Sequence, residues 1–220
     1  MVLLYGRAGR VAAKNGVLPF GQYATPLGPL PLDRAVAAAL LKTGLFETMP
    51  LSVDAKEHSI ELHAPFVAHI FRGQPVTLVP ILVGALSPQA ERTYGEVLAP
   101  YLDDPENFFV ISSDFCHWGQ RFDYIRYDEA TPSIADSIAA LDRRGMACIE
   151  AQDAAGFEQY LCATCNTICG RHAIGVLLHA LPACATAFDL AFVQYAQSSA
   201  ACGLQDSSVS YASAVLRPRG

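Results

Sequence analysis

Short apolar runs alternate with segments of helical period along most of the chain. The runs at 75–83 (PVTLVPILV) and 107–112 (NFFVIS) contain almost no polar residue, which is typical of strands buried on both faces of a sheet. Two later runs, at 190–195 and 209–216, are also predicted strands. Pro80 lies within the first run and predicts a bulge at that point, because proline has no N–H to donate to a neighbouring strand.

The segments between these strands carry the apolar spacing and end signals of helices. Three of them begin at Asp33, at Ser87 and at either Ser133 or Thr131, and Asp, Ser and Thr are preferred helix N-caps. The predicted helices cover about 33–45, 54–71 (interrupted at Pro65), 87–102, 132–144 and 154–161, with another after a turn at 166–170, and a Gly- and Pro-rich loop covers 17–32. Strands that alternate with helices predict an α/β fold with a mixed sheet flanked by helices.

Composition and charge exclude several classes of protein. Of 220 residues, 52% are hydrophobic and only 16% charged, which favours a large core and a covered sheet. The 15 Lys and Arg against 21 Asp and Glu give a net charge of −6, so we expect no nucleic-acid partner. The longest stretch before Asp189 without a charged residue, 172–188, contains Gly175, His179 and Pro182, and we therefore predict no membrane span.

The seven cysteines are typical of a cytoplasmic protein with reduced thiols, because their number is odd and they are scattered along the chain. Cys162, Cys165 and Cys169 form the one cluster. Three thiols at this spacing can hold zinc or an iron–sulfur cluster with a fourth ligand, but no second CxxC pair supplies it. We therefore expect these cysteines to pack or to remain free rather than to bind metal together.

The strongest candidate for chemistry is the segment 112–118, SSDFCHW. A predicted buried strand ends there, and functional sites of α/β sheets gather at the carboxyl ends of strands. Asp114 can orient or charge His117, which would make a general acid/base near neutral pH. The alternative is structural: Asp114 caps the next turn and His117 is a packed histidine. The residues alone leave both interpretations open.

Three weaker candidates follow. On the predicted helix at 57–61, Glu57, His58 and Glu61 have ligand chemistry, although a solvated charged face explains them equally well. In the segment 166–172, Arg171 can clamp a carboxylate or phosphate, and the alternative is an ordinary helix start. The polar loop after the strand at 190–195 carries Cys202, a candidate ligand or redox thiol.

Seven segments together resemble the Memo family, named for mediator of ErbB2-driven cell motility. They run in family order over about residues 20–216: LLKTGLFETM (40–49), EHSIELHAPF (57–66), VPILVGALS (79–87), ISSDFCHWGQRF (111–122), NTICGRHAIGVLL (166–178), YAQSS (195–199) and QDSSVSYA (205–212). The resemblance implies a fold similar to class III extradiol ring-cleavage dioxygenases. It also divides the chain into a non-homologous start, 1–16, and a Memo-like domain, 17–220.

The resemblance further implies N-terminal strands and two histidine metal ligands, in PHAGY-like and PSH-like motifs, that this sequence lacks. No histidine precedes His58. We therefore expect an N-terminally truncated Memo-like chain whose sheet lacks the N-terminal strands. We also expect that it holds no metal firmly, whereas a full-length site would hold iron or copper.

The site residues carried over from the family are Asp114 and His117 as a pocket pair and Cys202 as the third metal ligand. Cys202 lies one residue later than the family cysteine after YAQSS. Arg171 and His58 are expected substrate contacts. The implied function is a non-enzymatic signalling or redox-linked adaptor with a degenerate metal pocket, whose partners are phosphotyrosine-type peptides. The alternative is a metal-dependent dioxygenase-type oxidoreductase acting on a small aromatic substrate.

Overall fold

A computed structural model describes residues 2–6, 15–17 and 21–219. It contains a five-stranded sheet of order β5–β2–β6–β1–β7, a three-stranded sheet of order β8–β10–β9 and the small hairpin β3–β4. In chain order the strands are β1 (Val2–Gly6), β2 (Asn15–Val17), β3 (Gln22–Tyr23), β4 (Leu30–Pro31), β5 (Phe46–Thr48), β6 (Val79–Val83), β7 (Phe109–Ser112), β8 (His117–Trp118), β9 (Phe188–Gln197) and β10 (Ser208–Pro218).

The helices of the described ranges cover the sheets. They are α1 (Arg34–Lys42), α2 (Leu51–Asp54), α3 (Ser59–Ile70), α4 (Pro88–Asp103), α5 (Ile134–Glu150), α6 (Ala154–Thr164) and α7 (Arg171–Ala180), with short 3₁₀ turns at Gln120–Phe122 and Leu181–Ala183. None of these helices has the length and apolar character needed to span a bilayer.

The five-stranded sheet is mixed, which confirms the α/β prediction. Strand β1 is parallel to both β6 and β7, with Val2 opposite Val79 on one side and Phe109 on the other. Strand β2 is antiparallel to β6 and parallel to β5. Segment 1–16 therefore contributes strand β1 and the first residues of β2 to this sheet. Whether longer family members add further strands here stays a prediction.

The helix starts predicted from capping residues are confirmed. The Asp33 carboxylate accepts from the amides of Ala35 and Val36, at 3.1 and 2.9 Å. Ser87 and Ser133 cap α4 and α5 in the same way, through their hydroxyl oxygens. Helix α5 runs six residues beyond the predicted end at 144.

Two details of the sequence prediction are wrong. The helix at 54–71 is not interrupted at Pro65, which lies inside α3; the break falls earlier, between α2 and α3, where the buried Glu57 caps the new helix. Strand β6 pairs with β1 without a register shift at Pro80. On the other side of β6, the described residues of β2 pair with Ile81 and Leu82, so this pairing needs no N–H from position 80.

Strand β6 is buried along its whole length because helices cover both faces of the sheet. Its alternate residues Val79, Ile81 and Val83 pack with side chains of α1, α4 and α7. Leu82 faces the opposite layer, formed mainly by α3. A third apolar cluster joins α5, α6 and α7 to the β9–β10 sheet. The carboxyl end of β7 emerges between these layers, and the candidate site lies there.

Candidate functional site

The segment that follows β7 is held against the second sheet by main-chain hydrogen bonds. The amide of Phe115 donates to the Ser210 carbonyl over 2.8 Å, and the Ser210 amide donates to the Cys116 carbonyl over 2.9 Å. His117 then opens β8, opposite Val209 of β10. Because strand β7 ends at Ser112 and β8 begins at His117, Asp114 lies on a short loop whose two ends are fixed.

The turn before α7 packs directly on this loop. The amide of Asp114 donates to the Cys169 sulfur over 3.0 Å, and the Gly170 amide donates to Ser113 Oγ over 3.0 Å. A side chain at Gly170 would overlap Ser113 and the Ser112 carbonyl. The absence of a Cβ at Gly170 therefore permits the close approach that brings Cys169 to Asp114.

Asp114, His117 and Cys169 form a cluster of potential ligand atoms. One carboxylate oxygen, one imidazole nitrogen and one sulfur all lie within 4.8 Å of one another, and all three residues are partly buried. His117 Nε2 is 3.8 Å from Asp114 Oδ2. We refer to these three residues as the DHC cluster.

The His117 ring is fixed through its other nitrogen. Nδ1 lies 3.0 Å from the Phe115 carbonyl and 3.1 Å from the Thr167 carbonyl. Carbonyl oxygens only accept, so these contacts assign the proton to Nδ1 and leave the Nε2 lone pair directed at the cluster. The Thr167 hydroxyl also accepts from the His117 amide over 2.7 Å and donates to the His117 carbonyl over 2.9 Å.

Burial sets the electrostatics of the DHC cluster. It raises the pKa of the Asp114 carboxyl, and nearby His117 and His63 oppose that rise. Burial also raises the pKa of the Cys169 thiol, against the hydrogen bond from the Asp114 amide. Both groups thus bind protons more tightly than they would in water, which opposes the deprotonated forms that a metal ion requires.

His63 is a neighbour of the cluster that sequence reasoning missed. It lies on α3, with Nδ1 2.9 Å from the Ser59 carbonyl and 3.3 Å from Ser112 Oγ. A signal was present in the sequence, because His63 belongs to the EHSIELHAPF segment that carries the family resemblance. The expected contact, His58, lies one turn earlier, with its side chain exposed and its Nδ1 3.3 Å from Glu61.

Glu57 has a structural role in this region. Its buried carboxylate accepts from the amides of Ser59 and Ile60, at 2.7 and 2.9 Å, and also from the Ser59 hydroxyl. These bonds satisfy amides that the first turn of α3 would otherwise leave unpaired. The structural interpretation of segment 57–61 therefore accounts for Glu57.

The structure places Arg171 at a different cavity. Its Nη1 is 3.4 Å from the Ile168 carbonyl, and its side chain lines a cavity of about 290 Å³ shared with Glu91 and His172. His172 Nδ1 and Glu91 Oε1 are 2.6 Å apart there. Asp114 and His117 do not line this cavity, so Arg171 is not brought together with the pocket pair.

Cys202, expected as the third metal ligand, is also not brought to the pocket pair. It is exposed, its amide donates to Asp206 over 2.8 Å, and its sulfur is 3.5 Å from the Ala200 carbonyl. The thiol beside Asp114 and His117 is that of Cys169. Residue spacing could not reveal this, because the contact joins loops 55 residues apart in sequence. Cys162 and Cys165 are exposed and do not join the DHC cluster.

Comparison with known proteins identifies the family of this chain. The family model described as "Memo-like protein" matches residues 2–215. The match includes most of segment 1–16 and all seven segments quoted above.

Named relatives are similar over most of this chain. "Protein MEMO1" of Xenopus laevis is 51% identical over 199 residues, which cover 88% of this chain and 67% of the relative. "Protein MEMO1" of Homo sapiens is 48% identical over the same coverage. "Protein memo-1 homolog" of Caenorhabditis elegans is 41% identical over 213 residues, or 94% of this chain and 61% of the relative. The chain thus spans about two thirds of the length of these relatives, and it belongs to the Memo family.

Proposed function

We propose that this protein is a Memo-type adaptor in which the DHC cluster binds a transition-metal ion weakly and reversibly, linking its signalling role to metal or redox state without turnover. The observation that supports the proposal is the cluster itself: carboxylate, imidazole and thiol ligand atoms within 4.8 Å of one another. The proposal includes a fold of class III extradiol dioxygenase type and a cytoplasmic location.

The donor set fits the metals that the family resemblance implies. Imidazole suits iron and copper, and a thiolate favours soft ions such as Cu(I). His117 presents Nε2 while main-chain carbonyls hold Nδ1, which is the usual arrangement of a metal-binding histidine. When bound, the ion would supply Lewis acidity and a redox couple.

Two features support weak rather than firm binding. The family resemblance implies two further histidine ligands ahead of His58, and this sequence has no histidine there. The DHC cluster therefore offers one histidine where the family pattern implies more, and three protein ligands leave at least one coordination position open. The raised pKa values of Asp114 and Cys169 also act against metal binding.

The partner class rests on the family resemblance. It favours phosphotyrosine-type peptides, and the net charge of −6 favours protein over nucleic acid.

Metal titration of the purified protein tests this function. We expect Co²⁺, used as a spectroscopic probe for Fe²⁺, to bind with micromolar or weaker affinity and to give a sulfur-to-cobalt charge-transfer band. Cys169→Ser should abolish that band, whereas Cys202→Ser, which removes an exposed thiol outside the cluster, should leave it unchanged. A band that is absent from the native protein, or that follows Cys202, would refute the proposal.

A second candidate is a metal-dependent oxidoreductase of dioxygenase type acting on a small aromatic compound. The observation that favours it is the position of His117 Nε2, 3.8 Å from Asp114 Oδ2. This nitrogen could act as a general acid or base on a bound substrate. Oxygen uptake with catechols in the presence of Fe²⁺ or Cu²⁺ distinguishes the two. Uptake that His117→Gln abolishes would favour the enzyme, and no uptake by a metal-loaded protein would favour the adaptor.

A further inference from the structure

Asp142 is a buried acid that connects the two loops of the DHC cluster. It lies on α5 with no exposed surface. Its Oδ1 accepts from the Cys116 amide over 3.3 Å and from Asn166 Nδ2 over 2.9 Å. Its Oδ2 accepts from the Tyr195 hydroxyl over 2.9 Å. One carboxylate oxygen is therefore shared between the loop after β7 and the turn before α7.

Both loop partners of Asp142 adjoin cluster residues. Cys116 stands between Asp114 and His117 in the chain. The position of its main chain therefore helps to determine the Cα positions of both residues. Asn166 directly precedes Thr167, whose side chain and carbonyl hold His117. Asn166 also lies three residues before Cys169, the third cluster residue.

We infer that Asp142 is a positioning residue for the DHC cluster: by binding Cys116 and Asn166 with one oxygen, it fixes the separation of the loops that carry the three ligand side chains. The inference rests on the proposed metal-binding function and names a residue that sets its geometry. Groups that orient ligands typically change metal affinity by about 10–100-fold when they are removed.

Two substitutions at this position separate positioning from general stability. In Asp142→Asn, Oδ1 can still accept from Cys116 and Asn166. The new amide can donate to the Tyr195 oxygen, whose proton can turn to Ser210 Oγ, 3.1 Å away. In Asp142→Ala both loops lose their shared acceptor. We therefore expect Co²⁺ affinity to fall about 10–100-fold in Asp142→Ala and to stay within a few-fold of the native value in Asp142→Asn.

A second pair of variants applies if Asp142→Ala does not fold. Asn166→Ala and Tyr195→Phe each remove one hydrogen bond to Asp142. Only Asn166 lies on a ligand loop, whereas Tyr195 is on β9. We expect Asn166→Ala to weaken Co²⁺ binding at least ten-fold and to alter the charge-transfer band, and Tyr195→Phe to do neither. Equal effects of the two variants would overturn the inference.

A measurement without metal keeps this inference distinct from the proposed function. The ¹⁵N shifts of the His117 ring report its tautomer and its hydrogen bonds to main-chain carbonyls. We expect them to change in Asp142→Ala or Asn166→Ala and to remain native in Asp142→Asn and Tyr195→Phe. If the native protein binds no Co²⁺, the proposed function fails, and these shifts alone decide the role of Asp142. Native-like shifts in Asn166→Ala would refute it.

Discussion

The Asp114 amide donates to the Cys169 sulfur over 3.0 Å, and the Cys169 amide donates back to the Asp114 carbonyl over 3.3 Å. This reciprocal pair joins two loops that lie far apart in sequence, at the carboxyl end of β7. The geometry of the DHC cluster therefore depends on how closely the turn before α7 can approach the loop after β7.

Gly170→Ala should disrupt that approach. The new methyl group would overlap the Ser112 carbonyl at the end of β7 and Ser113 at the start of the loop that follows. We expect a loss of about 1–3 kcal/mol in the free energy of unfolding, measured by urea denaturation. Gly203→Ala is the matched control, since nothing lies within 4 Å of its Cβ position. It should change stability by less than about 0.5 kcal/mol. Similar losses in the two variants would contradict the close-packing argument.

Glu57→Ala should destabilise the protein by about 1–2 kcal/mol, because the amides at the start of α3 lose a buried acceptor. The control is Glu61→Ala, which removes an exposed carboxylate whose partner, His58, is also exposed. An exposed pair of this kind contributes about 0–1 kcal/mol. Urea denaturation of both variants checks the difference, and a larger loss in Glu61→Ala would be evidence against the capping role.

Alkylation of the native protein should distinguish the thiols by burial. Cys162, Cys165 and Cys202 are exposed and should react first with iodoacetamide. Burial raises the pKa of the Cys116 thiol to about 12, well above that of a free cysteine, which lowers its thiolate fraction roughly a thousandfold. Peptide mapping by mass spectrometry after timed labelling should show Cys116 modified only after unfolding. Labelling of Cys116 as fast as Cys202 would contradict the described core.

Asp103 should make folding sensitive to acid. Its carboxylate accepts from the Ala185 and Thr186 amides, and these bonds hold its pKa below the usual value. A lowered folded-state pKa gives stability that is present above the unfolded value of about 4 and is lost as pH falls through the folded value. Asp103→Asn should therefore lower the urea midpoint at pH 6 and differ less from the native protein at pH 3.

The variant Glu106→Gln is the control for this acid dependence, because Glu106 is an exposed carboxylate in the turn just after α4. It should leave both midpoints nearly unchanged. An Asp103→Asn deficit that does not shrink at pH 3 would show that the carboxylate charge is not the cause.

The local parts of the fold were predictable from sequence because their signals are local. Ser87 and Ser133 mark helix starts by their own hydroxyl groups, and the apolar run of β6 indicates burial on both faces. The position of β1 between β6 and β7 was not predictable from sequence, because a strand of five residues leaves little pattern to recognise.

Prediction of the site divides in the same way. Asp114 and His117 follow a strand end, and the structure brings their side chains to 3.8 Å from each other, while their role stays a prediction. The sequence predicted Cys169 as a packed cysteine and Cys202 as a metal ligand. Which of the two thiols lies beside Asp114 depends on the contact between Cys169 and the Asp114 amide, which the sequence does not reveal. Arg171 lies two residues after Cys169 but lines a different cavity, and its role as a substrate contact stays a prediction.

The carbonyl oxygens of Phe115 and Thr167 that orient the His117 ring belong to the main chain. Every amino acid carries the same group at those places, so substitution of the Phe115 side chain would leave the imidazole facing the same way while the loops keep their path. Sequences that have drifted far in this region can therefore retain an aligned histidine, and such drift alone is poor evidence that the chemistry has been lost.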